Sequence, residues 1–194
     1  MPKIIVYTAL KGKKDAYRND ILCFTDYNQF KTNRMNAKIY KVLPHLFLDV
    51  EYSIWVDANI FLKVSPEKLI QQLGHKDIAV IRHPNRTCIY DEANEVIKKN
   101  LDDCQIAKEQ INRYKINGFK KNQGMAMCGV IIRKHTESMA KLNEQWWSEI
   151  CRGSSRDQIS FNYVFKKEIN FIDWPGSYNN HLFYRTDHRT IKLF

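Results

Sequence analysis

The chain has 194 residues, 44% hydrophobic and 12% aromatic, with only seven glycines and five prolines; this excludes a disordered or fibrous polymer and suits one well-buried core. Thirty-one lysines and arginines against 21 acidic residues leave a net charge of +10, which attracts anionic partners such as nucleic acid, an acidic membrane surface or a phosphorylated small molecule. The basic clusters are short (Lys11, Lys13 and Lys14; Lys120 and Lys121), no nucleic-acid motif accompanies them, and no apolar run approaches the roughly 20 residues of a membrane span.

Lys3 to Thr8 is an apolar, β-rich run and reads as a buried first strand. It ends in Tyr7, Thr8 and Ala9 before a lysine-rich loop. Ile21 to Thr25 reads as a second strand, ending in Asp26 and Tyr27. Two strand ends flanking a basic loop can hold a base and ribose, although the same residues serve ordinary loops. From Asn33 to Leu48 the pattern is helical, with Met35, Ile39, Val42 and Leu43 on one face, and Pro44 interrupts it. Arg34, Lys38 and Lys41 on this helix can meet a donor's phosphates or form a solvated face.

Tyr52 to Val56 is the next strand, and Asp57-Ala58-Asn59 stands at its carboxyl end, where ligands bind in open α/β sheets. Asp57 and Asn59 can offer oxygen to one hard cation; they can also serve a strand-to-turn boundary. Ser65 and Pro66 start a short helix that Gly74 closes. Asp77 to Arg82 is a further buried strand. Two charged helices follow over about 91–116, Asp91 capping the first; they read as a surface excursion, a lid or acceptor wall, outside the core.

Ala126 to Arg133 is a strand, and Thr136 opens an amphipathic helix whose Trp146-Trp147 pair reads as core packing. Ser155 and Gln158 have the spacing of a capping box around the next helix. Asp157 lies in its first turn, where the helix dipole favours a carboxylate, a structural role that competes with a catalytic one. Ile169 to Asp173 is a last strand. The tail is a polar, aromatic loop carrying His181, Arg185, His188 and Arg189; a histidine here can complete a metal site begun by Asp57 and Asn59. The order predicts one α/β domain over 1–194, a three-layer sandwich with a mostly parallel sheet. Five cysteines without close pairs suit a reduced, cytoplasmic setting (the host cytoplasm for a viral chain), and no signal-peptide cleavage site follows the N-terminus. The end at Leu193-Phe194 leaves room for a longer multidomain polypeptide.

Four motifs occur in one order: Lys38-x-x-Lys41-x-x-Pro44-His45; Tyr52-Ser-Ile-Trp-Val-Asp57-Ala-Asn59; His83-Pro-x-Arg86-x-Cys88-x-Tyr90-Asp-Glu92-Ala; and Trp146-Trp147 leading to Ser155-Arg-Asp157-Gln158-x-Ser160-Phe161. Together, from about Lys3 to Phe165, they resemble a glycosyltransferase family once labelled a domain of unknown function and found in plants, bacteria and large algal viruses. The N-terminal domain of a chlorovirus multidomain enzyme is similar. The resemblance implies a GT-A (nucleotide-diphospho-sugar transferase) fold, a nucleotide-sugar donor and a divalent cation, Mn2+ or Mg2+. It implies that Tyr7, Thr8, Ala9 and Asp26 hold the nucleoside, and that Arg34, Lys38, Asp57, Ala58 and Asn59 complete the donor site. Asp57 and Asn59 take the place of an Asp-x-Asp metal motif, with His181 and His188 as further candidate ligands. Asn59 departs from that motif by one charge.

The expected activity is sugar transfer from a UDP-sugar to a hydroxyl of a glycan or glycoconjugate, with inversion and with Asp157 as general base. Neither nucleic acid nor stable membrane insertion is expected. The alternatives are a nucleotidyltransferase, or a non-catalytic module that binds nucleotide-sugar or nucleic acid.

Overall fold

The computed structural model describes residues 2–12, 15–173 and 180–186. Its centre is a six-stranded sheet of β1 (Ile4–Ala9), β2 (Leu22–Phe24), β3 (Tyr52–Val56), β5 (Ile78–Arg82), β6 (Ala126–Lys134) and β7 (Ile169–Ile172), in the order β2-β1-β3-β6-β5-β7. β1 pairs in parallel with β2 and β3, and β5 with β7; only β6 runs the other way, antiparallel to both β3 and β5. The mixed α/β architecture with a mostly parallel sheet is the one expected.

Period-two alternation sorts the strand residues between two faces. Tyr7, Trp55, Val80 and Ile131 turn toward one face, covered by α1 (Asn33–Val42), α5 (Glu137–Cys151) and α6 (Asp157–Phe165). Ile54, Val56, Ala79, Ile81, Val130 and Ile132 turn to the other, packed by Leu69 of α2 (Pro66–Ile70) and by a small second sheet. That second sheet pairs β4 (Ile60–Leu62) with β8 (Phe183–Arg185), antiparallel. β8 lies in the stretch expected to be loop. A three-residue strand carries too little periodicity to announce itself.

Helix α1 begins where its pattern predicted: Thr32 Oγ1 accepts from Met35 N at 3.3 Å, and Pro44 opens a separate 3-10 turn. Thr136 caps α5 through Met139 N. The capping box at Ser155 does not form. Arg156 occupies the N-cap of α6, the Ser155 hydroxyl donates to Asp102 Oδ2 at 2.8 Å, and Gln158 Nε2 reaches the Ala126 carbonyl. Trp146 is fully buried, as expected.

The two inserted helices, α3 (Ile89–Lys98) and α4 (Cys104–Ile116), differ from expectation in two ways. Asp91 falls inside the first turn of α3, while Asp103 does cap α4, accepting from Gln105 N and Ile106 N. They also bury a core of their own, in which Tyr90, Ala93, Val96, Ile111 and Tyr114 meet Ile159 of α6. Glu149 of α5 anchors them: it accepts from Tyr114 Oη at 2.8 Å and from Arg113 Nη1 at 2.9 Å. A stripe interrupted by buried Glu92 and Gln110 hides this packing from a hydropathy count.

Candidate functional site

Asp57 follows directly from β3, and its backbone N donates to the Gly129 carbonyl at 2.8 Å. A turn closes behind it, Ile60 N donating to the Asp57 carbonyl. The strand-to-turn role of this Asp is therefore real, but its carboxylate reaches sideways. Oδ1 accepts from Trp55 Nε1 at 3.0 Å and lies 3.6 Å from Lys41 Nζ. Arg18 fixes the turn from behind: buried, it donates to the carbonyls of Ile60 at 2.8 Å and Ala58 at 3.2 Å. Its guanidinium stacks over Phe61 and pairs with Asp20. Sequence reading missed Arg18, because nothing in its local pattern tells a buried clamp from a surface arginine.

Lys38 and Lys41, three apart on α1, point together as their spacing allows. Asp157, from the first turn of α6, meets both: Lys38 Nζ is 2.7 Å from Oδ1 and Lys41 Nζ 2.6 Å from Oδ2. Burial would raise the Asp157 pKa, but the two ammonium groups outweigh it and hold the carboxyl well below the usual range. Burial opposes the charge of Lys41, yet Asp157 and Asp57 together raise its pKa above the ordinary value. Lys38, with Asp157 as its main counter-charge and Lys41 beside it, is pushed down by burial. The result is a buried cation-carboxylate chain, Lys38–Asp157–Lys41–Asp57.

That setting disfavours the general-base role expected of Asp157. Its side chain is 10% exposed, both oxygens face ammonium groups, and a carboxylate with so low a pKa is a weak proton acceptor.

Above the chain lies a cleft of about 360 Å³, within the range of ligand pockets. Lys11, Arg34, Lys38 and Lys41 line it against Asp15 and Asp57, with Ala9, Trp55, Ala58 and Asn59 in its wall. Of the expected donor residues, Ala9, Arg34, Lys38, Asp57, Ala58 and Asn59 are thus brought together. Tyr7 and Thr8 are not: both are fully buried, and the Tyr7 ring packs edge-on against Trp55. Burial pushes the Tyr7 hydroxyl up to about 12. Asp26 accepts from Tyr40 Oη at 2.6 Å, outside the cleft wall. A larger groove of about 770 Å³ lies elsewhere, between Phe119, Leu142, Tyr163 and Lys166. Size would favour it, but among the described residues the smaller cleft joins the Lys38–Asp157–Lys41–Asp57 network to the carboxyl ends of β1 and β3, where ligands bind in open α/β sheets.

The expected divalent-cation site is not assembled by the described residues. Asn59 is 5% exposed, and its Nδ2 donates to the Thr186 carbonyl at 2.9 Å, holding the end of β8. His181 lies at the opposite end of the β4–β8 pair: Thr186 N meets the Asn59 carbonyl, whereas Lys63 N meets Leu182. Three strand residues at about 3.3 Å each separate those ends. His188 lies outside the described residues. Among the described residues no three His, Cys, Asp or Glu side chains gather to hold a metal ion. A dication on Asp57 would also face the Lys41 ammonium across Oδ1. The described residues by themselves do not make up the site for the metal that the resemblance implies.

The family model for the TOD1/MUCI70 glycosyltransferase-like domain matches residues 21–192. The chain belongs to this family. Within it, the chain is 29% identical over 161 residues to the probable hexosyltransferase MUCI70 of Arabidopsis thaliana, covering 76% of this chain and 28% of that protein. It is 27% identical over 150 residues to the alkaline ceramidase TOD1 of the same plant, covering 71% and 32%. The TOD1/MUCI70-like chain therefore spans less than a third of either relative. Among solved structures, the galactosyltransferase LgtC in complex with donor and acceptor sugar analogues is similar at a TM-score of 0.43 and 13% identity, over 70% of this chain and 44% of that one. No helix among the described residues is long and apolar enough to cross a membrane.

Proposed function

We propose that this domain transfers a sugar from a nucleoside-diphosphate sugar, a UDP-sugar in the first instance, to a hydroxyl of a glycan acceptor. The observation that carries this reading is the placement of Lys38 and Lys41, fixed by Asp157, in the wall of a cleft at the carboxyl ends of β1 and β3. Family membership supports it. In the reaction the bond from the sugar's anomeric carbon to the β-phosphate oxygen breaks, and its electron pair stays on that oxygen. The acceptor oxygen forms the new bond to the anomeric carbon, and its proton is released to water. What the protein must supply is fixed positive charge for the departing diphosphate. The lysines and Arg34 supply it, while Asp157 holds the lysines in place.

The name of TOD1 raises amide hydrolysis of a lipid as a second activity in the family. A cleft with four cationic side chains in its wall favours an anionic donor instead. The test is to incubate the chain with a panel of nucleotide-sugars and glycan acceptors, with manganese present, and to measure nucleoside diphosphate release and the glycosylated product. Acceptor-dependent release from one donor is expected. Lipid amide cleavage without any sugar transfer would overturn the reading.

A further inference from the structure

The geometry points to Lys41 as the fixed cation of this site, so that the nucleoside diphosphate binds and departs without a divalent metal ion. The inference rests on the transferase reading and concerns how that same site neutralises charge.

Lys41 lies between two carboxylates, 2.6 Å from Asp157 Oδ2 and 3.6 Å from Asp57 Oδ1, with a side chain 8% exposed that still forms part of the cleft wall. A lysine held from two sides has lost its rotamer freedom before the donor arrives, so it stabilises charge without reorganising. Asp57, the carboxylate a metal would need, already has its Oδ1 engaged by this ammonium and by the Trp55 indole. The second position of the motif, Asn59, carries no charge, and its Nδ2 is tied to the Thr186 carbonyl. The balance of the wall agrees. A site for a hard dication gathers carboxylates in excess. Here four cationic side chains face two, with Asp157 behind them. The leaving diphosphate oxygen, which keeps the electron pair of the broken bond, meets ammonium groups that are part of the chain.

The test is calorimetric titration of the chain with uridine, guanosine, adenosine and cytidine diphosphates, once in excess EDTA and once in manganese. One nucleotide is expected to bind in both, its affinity differing by less than about threefold. Lys41→Met keeps the buried stem and removes the charge; it is expected to weaken binding in EDTA by about tenfold or more, the loss of a charged hydrogen bond. Should Lys41→Met unfold, the comparison of the unaltered chain in EDTA and manganese decides alone. Binding that requires manganese or magnesium overturns the proposal and leaves the transferase reading standing. No binding of any nucleotide in either condition overturns both.

Discussion

Lys41 Nζ lies 2.6 Å from Asp157 Oδ2, joining the last turn of the first helix to the first turn of the sixth. The contact ties the cleft to the inserted helices, because α6 also packs against α3. A buried ion pair of this kind is weak evidence of net stabilisation, but removing one partner leaves the other charge buried alone.

Asp157→Asn is therefore expected to lower stability by about 3–5 kcal/mol, since Lys38 and Lys41 both lose their nearest counter-charge. The sign of the pH dependence follows from the depressed carboxyl. The unfolded chain protonates Asp157 near the ordinary value of about 3.9, the folded chain only lower. The stability from this group is thus present above about pH 4 and is lost as pH falls below it. Denaturant titration of both proteins at pH 7 and at about pH 3 measures this; a variant as stable as the parent at pH 7 would show that the pairs contribute nothing.

Gly129→Ala is the probe of Asp57 itself. A Cβ at this position would lie 3.0 Å from Ile60 Cδ1 and 3.3 Å from Asp57 Oδ2. Either the turn or the carboxylate must give way. The expected cost is about 1–3 kcal/mol of stability, as for other overpacked sites, together with weaker nucleotide binding. Thermal melting and calorimetry read the two effects separately, and unchanged nucleotide affinity would place Asp57 outside the donor site.

The strands and the Asp57 turn were legible because buried strands are written as short apolar runs with polar residues at their ends. The cation-carboxylate chain was legible only in parts. The three-residue spacing of Lys38 and Lys41 puts them on one face, but their partner Asp157 comes from a distant helix, and no local pattern encodes that meeting. The misreading of Ser155 has the same origin: its hydroxyl is taken by Asp102, from the loop between the inserted helices. Tyr7 looked like a strand-end ligand, yet the sheet continues past it to Ala9, which leaves Tyr7 in the core. His181 was grouped with Asn59 by residue type, and the register of β4 against β8 separates them.

His135 makes a second pH prediction, at milder acidity. Its Nε2 lies 2.8 Å from Ser53 Oγ, and burial, with the nearby charges of Arg133 and His45, pushes its pKa down to about 4. The unfolded chain takes up the proton near pH 6.5. Between those values the unfolded state binds more protons, so stability falls as pH is lowered from about 6.5 toward 4. His83, also pushed down to about 4 by burial, adds to the same window. His135→Asn is expected to lose less of its melting temperature over this interval than the parent; equal losses would show that His135 is not buried as a neutral ring.

Asn59→Asp restores a second carboxylate to the motif, and its outcome separates packing from ligation. The side chain it replaces donates to the Thr186 carbonyl from a position 5% exposed. A carboxylate there sets an oxygen against that carbonyl and leaves it without its donor, a loss of about 1–3 kcal/mol. If Asn59 is a tether, the variant melts lower than the parent in EDTA, and manganese does not restore it. If the position faces the cleft as a ligand, the added charge raises affinity for the ion and manganese lifts the melting temperature back by mass action. The bond to Thr186 favours the first result, because an aspartate cannot donate it and the end of β8 loses its tether.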